Sequence, residues 1–585
     1  MSETQQRLFA EFPPITTAEW EAAIQRDLKG ADYAKKLLWR TDEGITVKPY
    51  YRSEDCKGLD HLDTAPGEFP YTRGTKASAG WRIREEILET DPVAANAAAR
   101  AALTKGAEEV SFILTPNSDL PTLVKGLEGV PVHFRATGEG VAILKGLADF
   151  LRNKPLAGSL DCPLESDIQA AASAARQILR SAPDFRPLAV RCYEFAERGA
   201  TTVQELGFGL ARAVDMVAAL TSAGWTAAEA GRALFFSFAT GSNYFFELAK
   251  LRAARPCWAQ IMTAFGVEDP AAQKMVAHCR TARWNKTIYD PYVNLLRATT
   301  EAMSAALGGA DSITVGAFDE VFRAPGDFSR RLARNTQIIL KKEAYMDRVA
   351  DPAGGSYYVE VLTGSIAREA WRLFQEVETR GGFQNAREWV LAEVDKARAA
   401  KEAAIATRRR SIVGVNQYPN LHERMLGEIQ IEPPPGAPKR GAEVFEAIRL
   451  RTERHAASGG KTPKFLLAEM GDLKMRKARS SFVANFLGCA GFEVVTQFFD
   501  DVEAAAKGAR ECTADAVVLC SSDEEYPSLA APLIQRLGGV PVIVAGYPKD
   551  AVNQLQADGV ADFIHIRSNA AETLSAWQKR LGVKG

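Results

Sequence analysis

"KFLLAEMGDLKMRKARSSFVANFLGCAGFEVVTQF", residues 464–498, decides the fold of the C-terminal part of this chain. Two apolar runs, KFLLAE (464–469) and EVVTQF (493–498), flank an amphipathic segment of helical length. Strands that are apolar along nearly their whole length are typical of parallel strands buried on both faces. The stretch therefore predicts a strand–helix–strand unit, with the loop that starts at Gly471 at the carboxyl end of the sheet.

The same alternation continues to the end of the chain. Further apolar strands are DAVVLC (515–520), PVIVAG (541–546) and DFIHI (562–566), with helical segments between them. Residues 463–585 are thus predicted to form a five-stranded, doubly wound, flavodoxin-like parallel sheet. Ligands of such sheets bind outside the carboxyl ends of the strands.

The loop at that end carries no phosphate-cradling glycines. It carries Lys474, Arg476, Lys477 and Arg479 instead. These residues either bind an anion at a helix N-terminus or form a solvated face or an interface contact, and the second interpretation is favoured.

Upstream of this domain, short apolar runs alternate with helical ones, which predicts an α/β domain with a (β/α)₈ TIM barrel over residues 76–400. In one of the helical segments, Asp91 and Pro92 predict a helix start and Gly106 its end. The predicted strands are VSFIL (110–114), PVHFRA (131–136), GSLDC (158–162), LAVRCY (188–193), LFFSFA (234–239), HCRTARW (278–284), SITVGA (312–317) and MDRVAD (346–351).

Two further segments complete the predicted organisation. Residues 1–75 are predicted to be an arm that wraps around the chain or a partner, with a capping box from Thr16 to Glu19 and a strand over GITVKPYYR (44–52). Residues 401–462 are predicted to be a helical segment and linker, which includes IEPPPGAPKRGAE (431–443).

The charge and composition of the chain argue against several classes of function. A net charge of −1 gives no global field to attract nucleic acid, and no run approaches the length of a membrane span. The eight cysteines form no CxxC pair, which indicates reduced thiols in a cytoplasmic protein. The six histidines show no metal-ligand spacing, so no metal site is expected.

Several stretches together resemble the methylmalonyl-CoA mutase family across nearly the whole chain. The most specific are EFPYTRG (68–74), FRATGEGVAI (134–143), YDPYVNLLRATTEAMSAALGGADSI (289–313) and DPAGGSYYVE (351–360). The resemblance implies a barrel followed by a cobalamin-binding-type domain. It also implies a link to the adenosylcobalamin-dependent interconversion of methylmalonyl-CoA and succinyl-CoA. The family contains catalytic chains and smaller homologous chains that pair with them.

The family's cobalamin motif, D-x-H-x-x-G, is only partly kept. Asp472 is retained, but Lys474 stands at the position of the cobalt-ligating histidine and Lys477 at that of the glycine. A lysine ammonium has no lone pair for cobalt. Asp523 replaces the leucine of a later S-x-L run, and Ala545-Gly546 replaces a glycine pair. The resemblance therefore implies a degenerate site, with adenosylcobalamin on the large chain of the holoenzyme and not on this one.

Residues at the family's catalytic positions in the barrel also differ from those of catalytic chains. Tyr193 is kept, but Glu194 stands where catalytic chains have a histidine that hydrogen-bonds the substrate thioester carbonyl. YTRGTKASAGWRIRE (71–85) lacks the second tyrosine expected of a catalytic chain. Arg232 matches a CoA-contacting arginine and is a candidate vestige of substrate binding. Glu194 is expected to form a salt bridge or a hydrogen bond rather than to act as a general base.

The leading hypothesis is therefore a non-catalytic small subunit of a heterodimeric mutase that supports the large, catalytic chain. Two alternatives stay open. One is an active cobalamin-dependent mutase with atypical cobalt ligation, and the other is a regulatory subunit that binds acyl-CoA or another anion near Arg232.

Overall fold

The computed structural model describes residues 11–164, 167–431 and 439–584. Most of the predicted linker at 431–443 lies outside these ranges. Within them, the chain forms an N-terminal arm, a parallel barrel with outer helices, and a second parallel sheet. No helix of the described ranges combines the length and apolar character needed to cross a membrane.

The N-terminal arm is built from short elements and carries its own hairpin. They are helices α1 (Thr17–Asp27) and α2 (Tyr33–Leu37), antiparallel strands β1 (Trp39–Arg40) and β2 (Thr46–Val47), and a 3₁₀ turn (Ser53–Cys56). The predicted capping box is present: Glu19 N–H donates to Thr16 Oγ1 (3.2 Å), and Thr16 N–H donates to the Glu19 carboxylate (2.8 Å). The strand predicted over 44–52 is confined to β2.

A nine-stranded parallel sheet forms the barrel. Its order is β7-β6-β5-β4-β3-β11-β10-β9-β8. Only Pro187 separates β7 from β8, and because proline has no N–H for the ladder, these two segments are halves of one of eight barrel strands. The strands are β3 (Arg82–Ile87), β4 (Glu109–Ile113), β5 (Val132–Arg135), β6 (Gly158–Asp161), β7 (Phe185–Arg186), β8 (Leu188–Arg191), β9 (Leu234–Thr240), β10 (Ala277–Thr281) and β11 (Ser312–Thr314).

Two strand predictions need correction. The first barrel strand is β3, which the sequence reading missed because its inward positions are the charged Arg84 and Glu86 rather than apolar residues. The strand predicted over 346–351 is absent. Tyr345 (φ +52°) and Asp351 (φ +46°) have left-handed backbone conformations there, which no strand can continue through. Tyr193 consequently follows the fifth barrel strand and not the fourth.

Helices cover the outside of the barrel. The predicted cap of α3 is present, since Asp91 Oδ2 accepts the N–H of Ala94 at 2.8 Å and Pro92 opens the helix. The outer helices are α3 (Pro92–Thr104), α4 (Leu120–Leu123), α5 (Gly140–Asn153), α6 (Ile168–Ser181), α7 (Tyr193–Glu197), α8 (Thr202–Ser222), α9 (Ala227–Ala233), α10 (Tyr244–Ala264), α11 (Pro270–Gln273), α12 (Val293–Leu307), α13 (Asp327–Lys342), α14 (Tyr357–Thr379) and α15 (Phe383–Ala406).

The C-terminal sheet has the order β13-β12-β14-β15-β16, all parallel, which confirms the flavodoxin-like arrangement. Separate apolar clusters pack on its two faces. Its strands are β12 (Lys464–Glu469), β13 (Glu493–Phe498), β14 (Ala516–Cys520), β15 (Val542–Val544) and β16 (Asp562–Phe563). Its helices are α16 (Glu443–Ala457), α17 (Leu473–Gly488), α18 (Val502–Glu511), α19 (Tyr526–Leu537), α20 (Val552–Ala557) and α21 (Ala570–Arg580).

The loop after β10 joins the barrel to this second domain. Within it, Lys286 Nζ lies 2.6 Å from Glu301 Oε2 of α12, and both side chains are buried. Tyr289 Oη donates to Glu453 Oε1 of α16 at 2.8 Å. The buried ion pair therefore holds the loop that contacts α16.

Replacing Lys286 with Met should leave the Glu301 carboxylate buried without its cation. We expect the change to destabilise the barrel by about 3 kcal/mol, since breaking a buried pair leaves an uncompensated charge. Thermal unfolding of the full chain measures the effect. The double variant Lys286→Met/Glu301→Leu should recover most of the loss, and a Lys286→Met variant that melts with the wild type would contradict the assignment.

Candidate functional site

A cavity of about 550 Å³ opens at the carboxyl ends of the barrel strands. Most residues that point into it from the strands are polar, unlike the branched aliphatic residues that usually fill such barrels. Strand residues that line it are Arg84, Glu86, Ser111, His133, Phe134, Arg135, Ser159, Asp161, Arg191, Phe235, Ser237, Ala239, His278, Arg280 and Thr314. This end of the barrel is where active sites of the fold lie.

Tyr193 stands at the start of α7, directly after β8. Its hydroxyl accepts from Arg191 Nε (3.1 Å) and Nη2 (2.9 Å), and the Arg135 guanidinium lies 5.5 Å from its ring centroid. Burial and the neighbouring Asp161 carboxylate raise the pKa of Tyr193 to about 12. The phenol is therefore fixed as a neutral group within a network of the chain's own side chains.

Glu194 is paired on both carboxylate oxygens. Oε1 lies 2.9 Å from Arg191 Nη1, and Oε2 lies 2.8 Å from Arg212 Nη1 of α8. The sequence analysis expected a salt bridge or a hydrogen bond for Glu194, and the structure shows a salt bridge that holds it between two guanidinium groups. The two arginines were not identified from the sequence, and no local motif marks them.

A second network lies deeper in the barrel. Glu109 Oε2 is 3.1 Å from both Arg84 Nε and His133 Nε2, and His133 Nδ1 is 2.7 Å from Ser159 Oγ. Burial and the Arg84 charge lower the pKa of His133 to about 4. His133 is therefore a neutral, hydrogen-bonded interior residue near neutral pH.

A third network links β3 to β10 at the wall of the cavity. Arg280 Nη2 lies 3.0 Å from Glu86 Oε2 and 2.5 Å from Glu320 Oε2, and Arg135 also approaches Glu86. Burial alone would raise the pKa of Glu86, but the Arg280 and Arg135 charges lower it to about 2. Glu86 is thus ionised, and the carboxylates of Glu86 and Glu320 both form ion pairs within the chain.

Arg232 lies outside this cavity. It is the penultimate residue of α9, at the amino-terminal end of β9, and its Nη1 is 3.1 Å from Asp269 Oδ2. Its side chain is half exposed and lines no part of the cavity. A vestigial substrate contact at Arg232 would therefore lie at the opposite end of the barrel from Tyr193 and Glu194.

In the C-terminal domain, the positions of the predicted cobalamin motif surround the start of α17. Asp472 is the N-cap residue, and its Oδ1 accepts the N–H of Met475 at 2.8 Å. Lys474 is exposed, and the described residues offer its ammonium no ion-pair partner. Lys477 Nζ lies 2.6 Å from Glu469 Oε2, at the end of β12, and the pKa of Glu469 is lowered by Lys477 against the opposing effect of burial.

The remaining positions are also engaged within the chain. Asp523 Oδ1 pairs with Arg479 Nη2 at 2.8 Å, and the Ala545 carbonyl accepts the Tyr526 hydroxyl at 2.6 Å. The backbone at Gly546 lies so close to Arg479 that a Cβ atom added at this position would be only 2.8 Å from the Arg479 guanidinium. The Arg479–Asp523 ion pair therefore occupies the space around the positions that were compared with the cobalamin motif.

Glu525 is a central residue of this loop cluster that the sequence analysis missed. Its carboxylate accepts from Ser521 Oγ (2.5 Å), Ser522 Oγ (3.0 Å) and the N–H of Asp472 (3.1 Å). Contacts with Ser521 and with the Asp472 backbone lower its pKa to about 2. The S-x-x-E spacing from Ser522 to Glu525, at the start of α19, was the available signal.

These residues do not fit cobalt-ligated adenosylcobalamin. An imidazole ligand is missing at 474, the Lys477 ammonium is committed to Glu469, and the Glu525 carboxylate lies against Gly471 and Asp472. Among the described residues, no group of three His, Cys, Asp or Glu side chains could hold a metal ion. None of the eight cysteines, all of which lie within the described ranges, forms a disulfide, and all but the half-buried Cys512 are buried.

The architecture defines a parallel barrel protein with an attached flavodoxin-like domain, and in both the chain's own ion pairs lie at the carboxyl ends of the strands. A family model for methylmalonyl-CoA mutase matches residues 40–128 and 132–460, and its match ends just before β12. The chain belongs to the methylmalonyl-CoA mutase family.

Some relatives that match the chain are named as mutase small subunits, and others are named simply as methylmalonyl-CoA mutase. The methylmalonyl-CoA mutase small subunit of Porphyromonas gingivalis is 38% identical over 100% of both chains, and that of Streptomyces virginiae is 32% identical over 98% of both. The methylmalonyl-CoA mutase of Cereibacter sphaeroides is 35% identical over 75% of this chain and 69% of its own length.

Protonation of His133 should make the barrel's stability depend on pH. Its folded-state pKa, about 4, lies below the value near 6.5 of an unfolded chain, so unfolding takes up a proton between these values. The contribution of neutral His133 to the free energy of unfolding is fully present above pH 6.5. This contribution, about 3 kcal/mol, is lost as the pH falls to 4. Urea unfolding at pH 7, 5.5 and 4 measures it.

The variant His133→Asn should lose less stability over this pH range than the wild type. The matched control is His422→Asn, at an exposed histidine, which should keep the wild-type pH dependence. Equal slopes for His133→Asn and wild type would show that His133 is not the group that titrates.

Proposed function

We propose that this chain is the non-catalytic small subunit of a heterodimeric methylmalonyl-CoA mutase and that it supports a large, catalytic chain. One observation carries the proposal: Glu194, at the position of the thioester-binding histidine, is held by Arg191 and Arg212 inside this chain. The group that should act on the substrate is thus part of the scaffold.

The chemistry of Glu194 supports this conclusion. A carbonyl whose oxygen gains negative charge needs a hydrogen-bond donor, and an ionised carboxylate is an acceptor only. Replacing a donor with an anion would oppose the reaction rather than assist it. Tyr193 alone, tied to Arg191, does not compensate for this loss.

The C-terminal domain supports the same proposal independently. Lys474 cannot ligate cobalt while protonated, and Lys477 and Glu525 occupy the approach to the sheet. Adenosylcobalamin of the holoenzyme would therefore be held by the large chain. The pairing of Lys477 with Glu469 also favours a basic loop whose side chains make contacts within the chain over a loop that binds an external anion.

The arm gives a physical reason to expect a partner. No residue of α1 is buried in this chain, and the apolar side chains of Phe12, Ile15 and Trp20 around it are exposed. Clustered exposed apolar side chains mark interaction sites. The relatives that align over the full length of the chain carry the small-subunit name, which agrees with an arm that contacts a large subunit.

Cobalamin stoichiometry tests the proposal directly. After co-expression with the large chain, the purified complex should retain one adenosylcobalamin per heterodimer, measured by visible absorbance after gel filtration. Two per heterodimer would refute it in favour of an active chain with atypical ligation. Lys474→Ala serves as the matched variant, because atypical ligation by Lys474 predicts the loss of one cobalamin, whereas the proposal predicts no change.

The arm should matter for association and not for folding. We expect Ile15→Ala/Trp20→Ala to weaken binding of the large chain at least tenfold, because both side chains are exposed in this chain. Its thermal midpoint should stay within a few degrees of the wild type. Glu21→Ala on the same helix is the control, and affinity for the large chain, measured by calorimetry, is the readout. Unchanged affinity would show that the arm does not contact the partner.

A further inference from the structure

A loop that follows α15, residues 407–421, lies where the barrel domain meets α17 of the C-terminal domain, and it presents Tyr418 at the surface. We propose that Tyr418 is an anchor residue that binds in a pocket on the large chain. The inference rests on the function proposed above and deepens it, because it names a residue outside the arm on which association with the large chain depends.

The backbone of Tyr418 is strained, and its side chain is directed to solvent. The residue has a left-handed conformation (φ +52°), which is unfavourable for a bulky residue, and its side chain is 71% exposed. Among the described residues, none forms a hydrogen bond with the tyrosine hydroxyl. Strained residues that their surroundings hold in place are concentrated at functional sites, so an exposed aromatic residue in this conformation indicates a binding role.

Hydrogen bonds within the loop hold this conformation, and they do not involve the tyrosine side chain. Asn416 is buried, its Oδ1 accepts the N–H of Ile412 at 2.6 Å, and its Nδ2 donates to the carbonyl of Ile405 at 2.9 Å. The N–H of Gly414 donates to the carbonyl of Gln417 at 2.8 Å. The ring is therefore presented on a rigid support, which reduces the entropy lost when a partner binds it.

Arg408 fixes the loop to the C-terminal domain. Its Nε donates to the carbonyl of Asn416 at 2.9 Å. Its guanidinium lies 5.2 Å from the ring centroid of Phe482 and 5.4 Å from that of Phe486, both on α17. Because the loop also follows directly from α15, the position of Tyr418 is set relative to both domains.

Further exposed apolar side chains extend from the loop onto the barrel. Val413, which bridges to Gln417 beside the tyrosine, is exposed. Its carbonyl accepts from Arg297 Nη2 of α12 at 2.8 Å, and the exposed Leu296 and Tyr292 lie one helical turn apart on the same helix. Clustered exposed apolar side chains mark protein interaction sites, and tyrosine is enriched among the residues that dominate their affinity.

The position of the arm identifies the large chain as the occupant of this surface. Asp42, in the turn of the arm's hairpin, forms an ion pair with Arg410, which lies three residues before Val413. The arm and the loop are therefore continuous, with a half-exposed ion pair between their apolar side chains, as at the polar rim of an interface. A large chain that covers the arm also reaches Tyr418.

Dissociation of the purified heterodimer on dilution, followed by analytical ultracentrifugation, tests the proposal. Tyr418→Ala should weaken the complex by about tenfold or more, as expected for a tyrosine that dominates an interface. Tyr345→Ala is the matched control, because Tyr345 is also exposed and has the same φ of +52°, but lies on the loop before α14. This control should dissociate like the wild type.

Tyr418→Gly separates an anchor from a residue that matters only for folding. Glycine relieves the left-handed strain, so this variant should melt at a higher temperature than Tyr418→Ala and yet bind the large chain as weakly. Tyr418→Phe, which keeps the ring, should restore most of the affinity. Recovery of wild-type affinity by Tyr418→Gly would show that only the backbone matters and would overturn the inference.

The remaining outcomes distinguish this inference from the function on which it rests. A wild-type chain that never associates with the large chain would defeat the proposed function. If the wild type associates and Tyr418→Ala associates equally well, the inference fails and the proposed function stands. Loss of a complex between two copies of this chain, with binding of the large chain unchanged, would also overturn the inference, because a second copy would then be the occupant.

Discussion

The pairing of charges inside the barrel is the constraint on which the rest of the structure depends. Buried ions are costly unless they are paired and hydrogen-bonded, and this barrel places arginines and glutamates where other barrels place aliphatic residues. Arg280 joins Glu86 of β3 to Glu320 across the mouth, and Arg84 joins Glu109 of β4. The Arg280–Glu86 and Arg84–Glu109 pairs each link two different strands, so the strand arrangement of the barrel also provides the partners of its buried charges.

The same need to pair charges explains why internal ion pairs lie at the carboxyl ends of both sheets. Glu194 at the barrel and Lys477 at the C-terminal sheet are residues that a ligand-binding role would leave available, and each is paired within the chain. The chain therefore keeps the scaffold of its family while its own side chains take the place of external partners. The supporting role proposed above would require such internal pairing, because the folded state would then not rely on substrate or cofactor.

The parts of the fold that could be predicted are those with local signals. The apolar strands of the C-terminal sheet, the capping box at Thr16 and the cap at Asp91 follow from residue type and spacing alone. Strand β3 could not be recognised, because its inward charges are stabilised only by partners on distant strands. MDRVAD resembled a strand in composition, but Asp351 adopts a left-handed conformation and pairs with Arg252 of α10.

The sequence by itself determined the family resemblance, the order of the domains and, through that resemblance, the expectation that Glu194 and Lys474 stand at histidine positions, because these depend on residue identity along the chain. Only the tertiary structure decided what the replacements do. Arg191 and Arg212 bind Glu194, Glu525 bonds to the loop at Asp472, and Arg232 lies at the far end of the barrel. These contacts join residues from separate elements, and a through-space ion pair leaves no trace in the spacing of a sequence.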